Sequence, residues 1–199
     1  MKKSILIGSL SIIGISFIPR MPGLPIGSSL PGQNISMKDI SGKMISLIDA
    51  KKANGLMVMF SCNSCPVVHA NQSRTGEICS YALKNEVGVT LINSNEAERS
   101  GNESLESMQQ YAKAQFYNWY YLVDKSNVLA DAFSASRTPE VFLFDKDNKL
   151  VYHGAIDDSP GDISKVKHTY LKDAINDLTQ GKPIQVKESR SVGCSIHRG

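Results

Sequence analysis

The sequence lacks the features that mark fibrous, repetitive and nucleic-acid-binding proteins. It contains no collagen period, no heptad array and no repeat of roughly 20–50 residues, which excludes fibres and solenoids. It also lacks an excess of charge, because Lys2, Lys3 and Arg20 lie in the first twenty residues and the rest has 19 basic and 19 acidic residues. A neutral body argues against a phosphate-binding surface, so no nucleic-acid partner is expected. Cysteine is scarce, with four in the chain.

The composition is that of one ordinary globular domain. Hydrophobic residues make up 41% and charged residues 21% of the chain, which excludes a wholly disordered protein. A length of 199 residues leaves little room for a second domain. We expect four segments: a signal peptide or signal anchor (1–20), a linker or irregular lead-in (21–34), the folded domain (35–183) and a C-terminal tail along the surface (184–199).

The first twenty residues are typical of a bacterial export signal. Lys2 and Lys3 give a basic start, and residues 5–18 form a 14-residue run without a charge. That run is shorter than the roughly 20 apolar residues of a confident membrane span. Because no clean Ala-x-Ala cleavage site follows, an uncleaved anchor that tethers the chain through residues 5–18 is an alternative, as is a buried first helix or strand. Export predicts a periplasmic or periplasm-facing protein, whose cysteines meet an oxidising compartment.

The hydrophobic pattern predicts an α/β domain. Continuous apolar runs such as Leu56–Phe60 indicate strands buried on both faces, and segments with helical spacing alternate with them. In chain order we predict a hairpin turning at 41–43 with its second strand over 44–48, a strand at 56–60, a helix over 65–84, a strand at 87–92, a helix over 104–116, a strand at 119–123, a short helix over 127–133, a hairpin of strands 141–144 and 150–153, and a last helix over 164–178. This order indicates a central mixed sheet flanked by helices.

Two of the cysteines lie where a predicted strand meets a predicted helix, in Phe60-Ser61-Cys62-Asn63-Ser64-Cys65-Pro66. Unpaired backbone N–H groups and the positive end of the helix dipole stabilise a thiolate at such a junction. We therefore expect Cys62 to have a lowered pKa and to act as the nucleophile. Cys65, one turn later, is close enough to attack the resulting mixed disulfide and release the product.

A second signal lies far downstream in the chain, where Thr138-Pro139 precedes the predicted strand 141–144. A cis bond before Pro139 would turn the chain sharply and leave the backbone of Thr138 free to pair with an extended peptide. Together with the cysteine pair, this placement favours a cis proline beside Cys62.

These residues together resemble the thioredoxin fold, and in particular its redoxin branch of exported thiol-disulfide oxidoreductases and peroxiredoxin-like proteins. The resemblance covers about residues 26–181 and rests on Phe60–Pro66 followed by Thr-Pro-Glu-Val-Phe-Leu-Phe-Asp at 138–145. Weaker support comes from Ile26–Pro31 with Asp39–Lys43, from Tyr152–Asp158, and from the tail Gly193–Ile196. It implies a thioredoxin-like α/β domain with a central mixed sheet and an N-terminal β-hairpin.

The resemblance also implies a function and its site residues. Cys62 and Cys65 would exchange disulfides with cysteine-containing protein substrates and with a redox partner protein, while Thr138 and Pro139 would hold the substrate backbone. No cofactor is expected, because both electrons reside in the two sulfurs. The family's peroxidases carry Pro-x-x-x-Thr-x-x-Cys, whereas Leu-Met-Val-Met-Phe-Ser precedes Cys62, so a thiol peroxidase is the alternative. Thioredoxins usually have Trp before the first cysteine and Gly-Pro inside the pair, so the redox potential and the direction of electron flow stay open.

The other two cysteines have several interpretations. Cys79 lies several helical turns after Cys65, too far along one continuous helix to pair with it, and we expect it to be free and buried. Cys194 is a candidate third redox cysteine that reaches back to Cys62 from the tail, a surface thiol without a role, or the partner of Cys79 in a structural disulfide.

A metal-binding module of the same fold is a further alternative. Cys62, Cys65, Cys194 and His197 have the ligand types of a zinc site, and exported copper carriers of this fold also use two cysteines and a histidine. The long stretch of chain between Cys65 and Cys194 leaves their proximity open, and the preferred expectation is no metal. Among the other polar candidates, His69 is expected to be a packing or surface residue. The turn and surface groups are expected to be His153, His168, Asp157 and Asp158.

Overall fold

The computed structural model describes residues 23–199, so the expected export signal lies outside the described residues. The strands are β1 (Met37–Asp39), β2 (Met44–Ile45), β3 (Gly55–Ser61), β4 (Val87–Asn93), β5 (Tyr120–Val123), β6 (Arg137–Thr138), β7 (Glu140–Phe144), β8 (Leu150–Gly154) and β9 (Cys194–Ser195). The α-helices are α1 (Leu47–Ala50), α2 (Pro66–Ala70), α3 (Gln72–Lys84), α4 (Leu105–Ala114), α5 (Val128–Ala132) and α6 (Tyr170–Thr179). Within residues 23–199, no helix has both the length and the apolar character needed to cross a bilayer.

A seven-stranded mixed sheet organises the molecule, in the order β2-β1-β5-β4-β3-β7-β8. Strands β3, β4 and β5 run parallel, and the remaining neighbours are antiparallel. Every residue of β3 and of β4 is buried, as expected for apolar strands covered on both faces. The predicted α/β class, the mixed sheet and the N-terminal hairpin are therefore confirmed.

Helices cover both faces of the sheet. On one face, α3, α4 and α6 pack through residues such as Ile78, Met108 and Ile175. On the other face, α1 and α5 pack against a group of aromatic rings in edge-to-face contact, which includes Phe60 and Phe133 at 5.5 Å between ring centroids. Side chains of β3 point alternately into the apolar cores on the two faces of the sheet. This alternation determines which way the last side chains of the strand point at its carboxyl end.

Three elements differ from the predicted pattern for local reasons. The last helix, expected over 164–178, begins only at Tyr170, after a loop whose Lys167 and His168 amides donate to Asp158. The strand expected over 44–48 ends at Ile45, because Ser46 caps α1 in a reciprocal capping box with Asp49. The helix expected over 65–84 is interrupted at Asn71, which separates α2 from α3. The Asn71 side chain donates hydrogen bonds to the carbonyls of Val67 (2.8 Å) and Pro160 (2.6 Å), so a distant loop is tied to the interruption.

Both ends of the described chain pack against the β7–β8 hairpin. In the lead-in segment, Gly27 and Leu30 donate backbone hydrogen bonds to Leu150 and Asn148, at 2.8 and 2.9 Å. The tail passes beside β8, where the His153 amide donates to the Lys187 carbonyl at 2.9 Å. It then returns to the main domain as β9, antiparallel to β6. The polar tail expected along the surface therefore ends in a paired strand at the carboxyl end of the central sheet.

Candidate active site

The two cysteines of the Cys-x-x-Cys pair lie where the pattern placed them. Cys62 directly follows β3, and Cys65 is the N-cap of α2, with Pro66 at the first helical position. Both side chains are covered: Cys62 is 1% exposed and Cys65 is 4% exposed. Cys62 thus lies at the carboxyl end of the central strand β3, and Cys65 lies one turn later at the start of the short helix α2.

The peptide bond between Thr138 and Pro139 is cis, as predicted, and it lies against both cysteines. The Thr138 hydroxyl is 3.2 Å from Cys62 Sγ, and the Thr138 carbonyl oxygen is 3.5 Å from Cys65 Sγ. This proximity follows from the sheet, because β7 begins directly after Pro139 and pairs with β3, with Glu140 opposite Phe60. The two sequence signals, although distant along the chain, therefore form one site.

A disulfide joins Cys65 to Cys194, with 6.1 Å between their Cα atoms. Cys62 keeps a free thiol, and so does Cys79, which is fully buried in the core as expected. Cys194 was expected to reach Cys62, to pair with Cys79 or to be a surface thiol, but in this structure it is bonded to Cys65, so these three placements are wrong. The reason is backbone pairing. Cys194 lies opposite Thr138 in the β6–β9 ladder, and this places the Cys194 sulfur beside Cys65. The expectation that Cys194 is a third redox cysteine stays a prediction.

Glu103 is a site residue that the sequence did not reveal. Its carboxylate is fully buried and accepts hydrogen bonds from the backbone amides of Asn63 (2.9 Å) and Ser64 (3.0 Å). It also accepts from the Ser64 hydroxyl (2.6 Å) and the Asn93 side-chain amide (2.6 Å). Its sequence context, two residues before α4 in a polar loop, resembles that of an exposed residue. Through these hydrogen bonds the Glu103 carboxylate holds the loop between Cys62 and Cys65 in place.

The environment raises the pKa of the Cys62 thiol to about 11. Burial is the largest cause, and the nearby Glu103 carboxylate adds to it; the Thr138 hydroxyl and the amides of Ser64 and Cys65 act in the opposite direction. The lowered pKa expected at the helix start is therefore wrong for this state. The helix is only five residues long, and the amides of Ser64 and Cys65 that favour a thiolate are outweighed by burial and by the Glu103 carboxylate.

Replacing Glu103 with glutamine should lower the pKa of Cys62. The change removes a negative charge near the sulfur, which makes loss of the thiol proton easier, while the glutamine oxygen still accepts from the loop amides. The pH dependence of iodoacetamide alkylation, with the Cys62 adduct quantified by mass spectrometry, measures this pKa. Glu106→Gln, an exposed carboxylate in the first turn of α4, is the matched control and should leave the profile unchanged. An unchanged or higher pKa in Glu103→Gln would contradict the role given to the carboxylate.

Comparison with known proteins identifies the family. The sequence matches the AhpC/TSA family over residues 26–153. The chain belongs to this family. No curated protein matches the sequence. The match confirms the redoxin resemblance that the cysteine pair and Thr138-Pro139 indicated.

Solved structures similar to this redoxin share its architecture. An uncharacterized conserved protein of Geobacillus kaustophilus is 32% identical, covering 90% of this chain and 98% of that one, with a TM-score of 0.82. A hypothetical protein of Sinorhizobium meliloti 1021 is 30% identical, covering 88% and 96%, with a TM-score of 0.81. The thioredoxin domain of a thiol-disulfide oxidoreductase from Bacteroides vulgatus is 18% identical, covering 66% and 89%, with a TM-score of 0.55. The last likeness confirms the thioredoxin-like fold.

The position that carries threonine in the family's peroxidase motif is Met59 in this redoxin, three residues before Cys62. Met59 is fully buried and pairs with Val141 across the sheet. Its side chain offers no hydroxyl to a peroxide. The hydroxyl near Cys62 comes instead from Thr138, which precedes the cis proline.

Two groups expected at turns or on the surface are buried behind the site. His153 stacks on Phe142 at 4.4 Å, and its Nε2 is 2.7 Å from Glu140 Oε1. The other oxygen of Glu140 accepts hydrogen bonds from the amides of Ser136 (2.8 Å) and Arg137 (3.0 Å), so the pair supports the chain that leads into Thr138-Pro139.

Asp157 is the second such group. It lies buried against the Arg74 guanidinium, with both carboxylate oxygens within 2.8 Å of Nη1. The expectation of surface positions was wrong for His153 and Asp157, because each has a buried partner, Glu140 on the neighbouring strand for His153 and Arg74 on α3 for Asp157.

The other candidate polar residues are peripheral. His168 is exposed, Asp158 accepts the Lys167 and His168 amides as a turn residue does, and His69 lies exposed near Tyr111. Of the four residues with the ligand types of a zinc site, the three cysteines cluster, but the His197 ring pairs with Glu98. Among residues 23–199, no three His, Cys, Asp or Glu side chains are arranged to hold a metal ion.

Proposed function

We propose that this redoxin exchanges disulfides with cysteine-bearing proteins, with Cys62 as the nucleophile and Cys65 as the resolving cysteine. One observation carries the proposal: a free thiol and a disulfide sulfur of the same Cys-x-x-Cys pair both contact Thr138, directly before a cis proline. The Thr138 backbone is the edge at which an extended partner segment would pair.

The exchange conserves electrons among sulfurs. The Cys62 thiolate attacks a partner disulfide, forming a mixed disulfide and releasing the partner's other sulfur as a thiolate, which takes a proton from water. The thiolate of reduced Cys65 then attacks the Cys62 sulfur, so that a Cys62–Cys65 disulfide forms and the partner leaves as a dithiol. A redox partner protein restores the dithiol by the reverse steps. The same steps run backwards oxidise a partner, so the site supports either direction.

The location proposed for this chemistry is outside the cytoplasm. The basic start and the uncharged run over residues 5–18 support export, either as a soluble periplasmic protein or with a membrane tether. Cell fractionation with N-terminal sequencing tests this directly. Full-length protein in the cytosol would contradict it.

A pair of assays separates disulfide exchange from peroxide reduction, the alternative that family membership keeps in view. We expect the purified protein, with dithiothreitol as electron donor, to reduce a peptide disulfide well above the uncatalysed rate. Hydrogen peroxide should be consumed slowly, because Met59 stands where the family's peroxidases have threonine. Rapid peroxide consumption without peptide reduction would show a thiol peroxidase instead.

A further inference from the structure

We propose that the C-terminal segment Gly193–Ile196 is an internal substrate of the site, released when Cys62 attacks Cys65 and expels Cys194. This inference rests on the proposed function and adds two things to it. It identifies the kind of partner segment that the Thr138 edge accepts, an extended Gly-Cys-x-aliphatic sequence. It also identifies what partners must displace.

The first evidence is that β9 lies where a partner peptide would lie. Thr138 and Arg137 pair with Cys194 and Ser195 in antiparallel register, which is the way an extended peptide adds to an exposed strand edge. Cys194 is covalently joined to the site through Cys65, whereas the mixed disulfide proposed for a partner is on Cys62. The tail therefore makes the backbone contact of a substrate, and its sulfur is bonded to the other cysteine of the same pair.

The residues beside Cys194 show what shape fits. A Cβ on Gly193 would lie 2.0 Å from the Thr138 carbonyl oxygen, so a side chain at that position would collide with the backbone of the site. Ile196, two residues after the cysteine, is buried in the apolar cluster that contains Phe60 and Phe133. Two features therefore allow the segment to bind: a glycine directly before the cysteine and an aliphatic residue two positions after it.

Apart from the disulfide and the burial of Ile196, the last residues are held by hydrogen bonds and ion pairs. His197 donates its amide to Asn95 Oδ1 (3.0 Å), accepts from the Ala97 amide (3.2 Å) and pairs its ring with Glu98. The carbonyl of Gly193 accepts from Arg137 (3.0 Å), and that of Ala135 accepts from Arg198 (2.7 Å). The β6–β9 ladder is two residues long, and Ile196 donates one backbone hydrogen bond to Ser136 at 3.0 Å. The ion pair between Arg198 and Asp131 (3.0 Å) is exposed and contributes little. The preceding stretch is held independently of the disulfide, because the His153 amide donates to the Lys187 carbonyl and the Ser189 amide donates to the His153 carbonyl.

The chemistry needs no outside oxidant. The Cys62 thiolate attacks Cys65 Sγ, the Cys65–Cys194 bond breaks, and a Cys62–Cys65 disulfide forms while Cys194 leaves as a thiolate that takes a proton from water. One disulfide is exchanged for another, so the number of electrons is unchanged. Cys194 is the most accessible of the three cysteines, being half-buried where the other two are buried, which suits it to be the sulfur that leaves.

A single-turnover reaction tests whether the tail occupies the partner's place. The protein with its Cys65–Cys194 disulfide and the variant Cys65→Ser/Cys194→Ser both keep a free Cys62, so each is mixed with a peptide disulfide without reductant. Because a tethered segment competes at a high effective concentration, the variant should form the Cys62 adduct on the order of 10-fold faster or more. Ser80→Ala, which changes an exposed side chain of α3, is the control and should react like the unaltered chain.

The outcomes separate this inference from the proposed function. Equal adduct rates on Cys62 in both proteins would overturn the internal substrate while leaving disulfide exchange intact. No Cys62 adduct in either protein would overturn the proposed function itself.

Two further measurements test the exchange and the segment's shape. Ile196→Ser keeps all three cysteines but weakens the packing of the tail segment against the apolar cluster. The exchange should then favour release of the segment, so differential alkylation should detect a Cys62–Cys65 disulfide with a free Cys194 thiol. Finding only Cys65–Cys194 would mark that bond as a structural cross-link.

In the Cys65→Ser/Cys194→Ser variant, the disulfide dimer of the peptide Val-Gly-Cys-Ser-Ile-His should react faster than the same peptide with valine in place of glycine. Equal rates would contradict the proposed partner sequence.

Discussion

Replacing Cys62 with serine should abolish the reduction of a peptide disulfide, with a rate loss of about 10³-fold or more. In the oxidised protein the only other free thiol within residues 23–199 is Cys79, which lies in the core. Dithiothreitol also frees Cys65 and Cys194, and we predict that neither replaces Cys62 as the attacking sulfur. Serine keeps the size of the side chain and a polar atom near the Thr138 hydroxyl, and the Cys65–Cys194 disulfide is untouched. The fold should therefore survive the change. The measurement is steady-state peptide reduction with dithiothreitol as donor.

Cys79→Ala is the matched control for this prediction, since it removes the other free thiol and leaves the site intact. It should retain most of the exchange rate, although the small cavity that it creates will lower stability somewhat. If Cys62→Ser keeps substantial activity while Cys79→Ala loses it, Cys62 is not the nucleophile.

The largest expected effect on stability comes from Asp157→Ala, with a loss of roughly 3–5 kcal/mol in the free energy of unfolding. Its carboxylate oxygens lie 2.7 and 2.8 Å from Nη1 of Arg74, whose side chain is 6% exposed. Removing the carboxylate leaves a guanidinium buried without its counter-charge. The remaining acceptors of that group are neutral backbone carbonyls, those of Ala70, Ser159 and Pro160. Chemical denaturation followed by circular dichroism measures the change.

Two further variants show whether the stability loss comes from the burial of the Arg74–Asp157 pair rather than from the loss of any ion pair. Lys165→Ala breaks an exposed pair with Asp162 at 3.2 Å and should change stability little. The double variant Arg74→Met/Asp157→Leu removes both charges and should be more stable than Asp157→Ala alone. If Asp157→Ala is no less stable than Lys165→Ala, the buried pair does not hold α3 to the loop after β8.

Sequence patterns of short range predicted much of this redoxin. The apolar runs of β3 and β4 predicted buried strands, and the junction of β3 with a helix placed Cys62 and Cys65 correctly. The cis proline could be predicted because Thr138-Pro139 directly precedes a strand, an arrangement that is informative only together with the cysteine pair.

Contacts between distant segments could not be predicted in the same way. The partners Cys65 and Cys194 are 129 residues apart, and nothing in their spacing distinguishes this pair from the alternatives. Glu103 lies in a polar loop where a carboxylate is usually solvated, and only the fold reveals that the cysteine loop closes over it.

The pKa of Cys62 shows why the local rule was insufficient. A helix start favours a thiolate, but the surrounding chain buries the sulfur and places a carboxylate near it, and these two effects outweigh the helix. Part of the covering comes from the half-buried Cys194, which packs against the cluster of Cys62, Cys65 and Val68. The tail and the carboxylate together determine how reactive the nucleophile is in this state.

The central claim is that Cys62 carries the bond to the partner. The most direct measurement is the identity of the modified cysteine in the Cys65→Ser/Cys194→Ser variant after reaction with a peptide disulfide, determined by mass spectrometry of its proteolytic fragments. In this variant neither neighbouring cysteine can resolve the mixed disulfide, so the adduct should persist. We predict stoichiometric peptide on Cys62 and none on Cys79. Peptide on Cys79, or a variant that stays unmodified, would contradict the assignment of Cys62 as the nucleophile of a disulfide exchange.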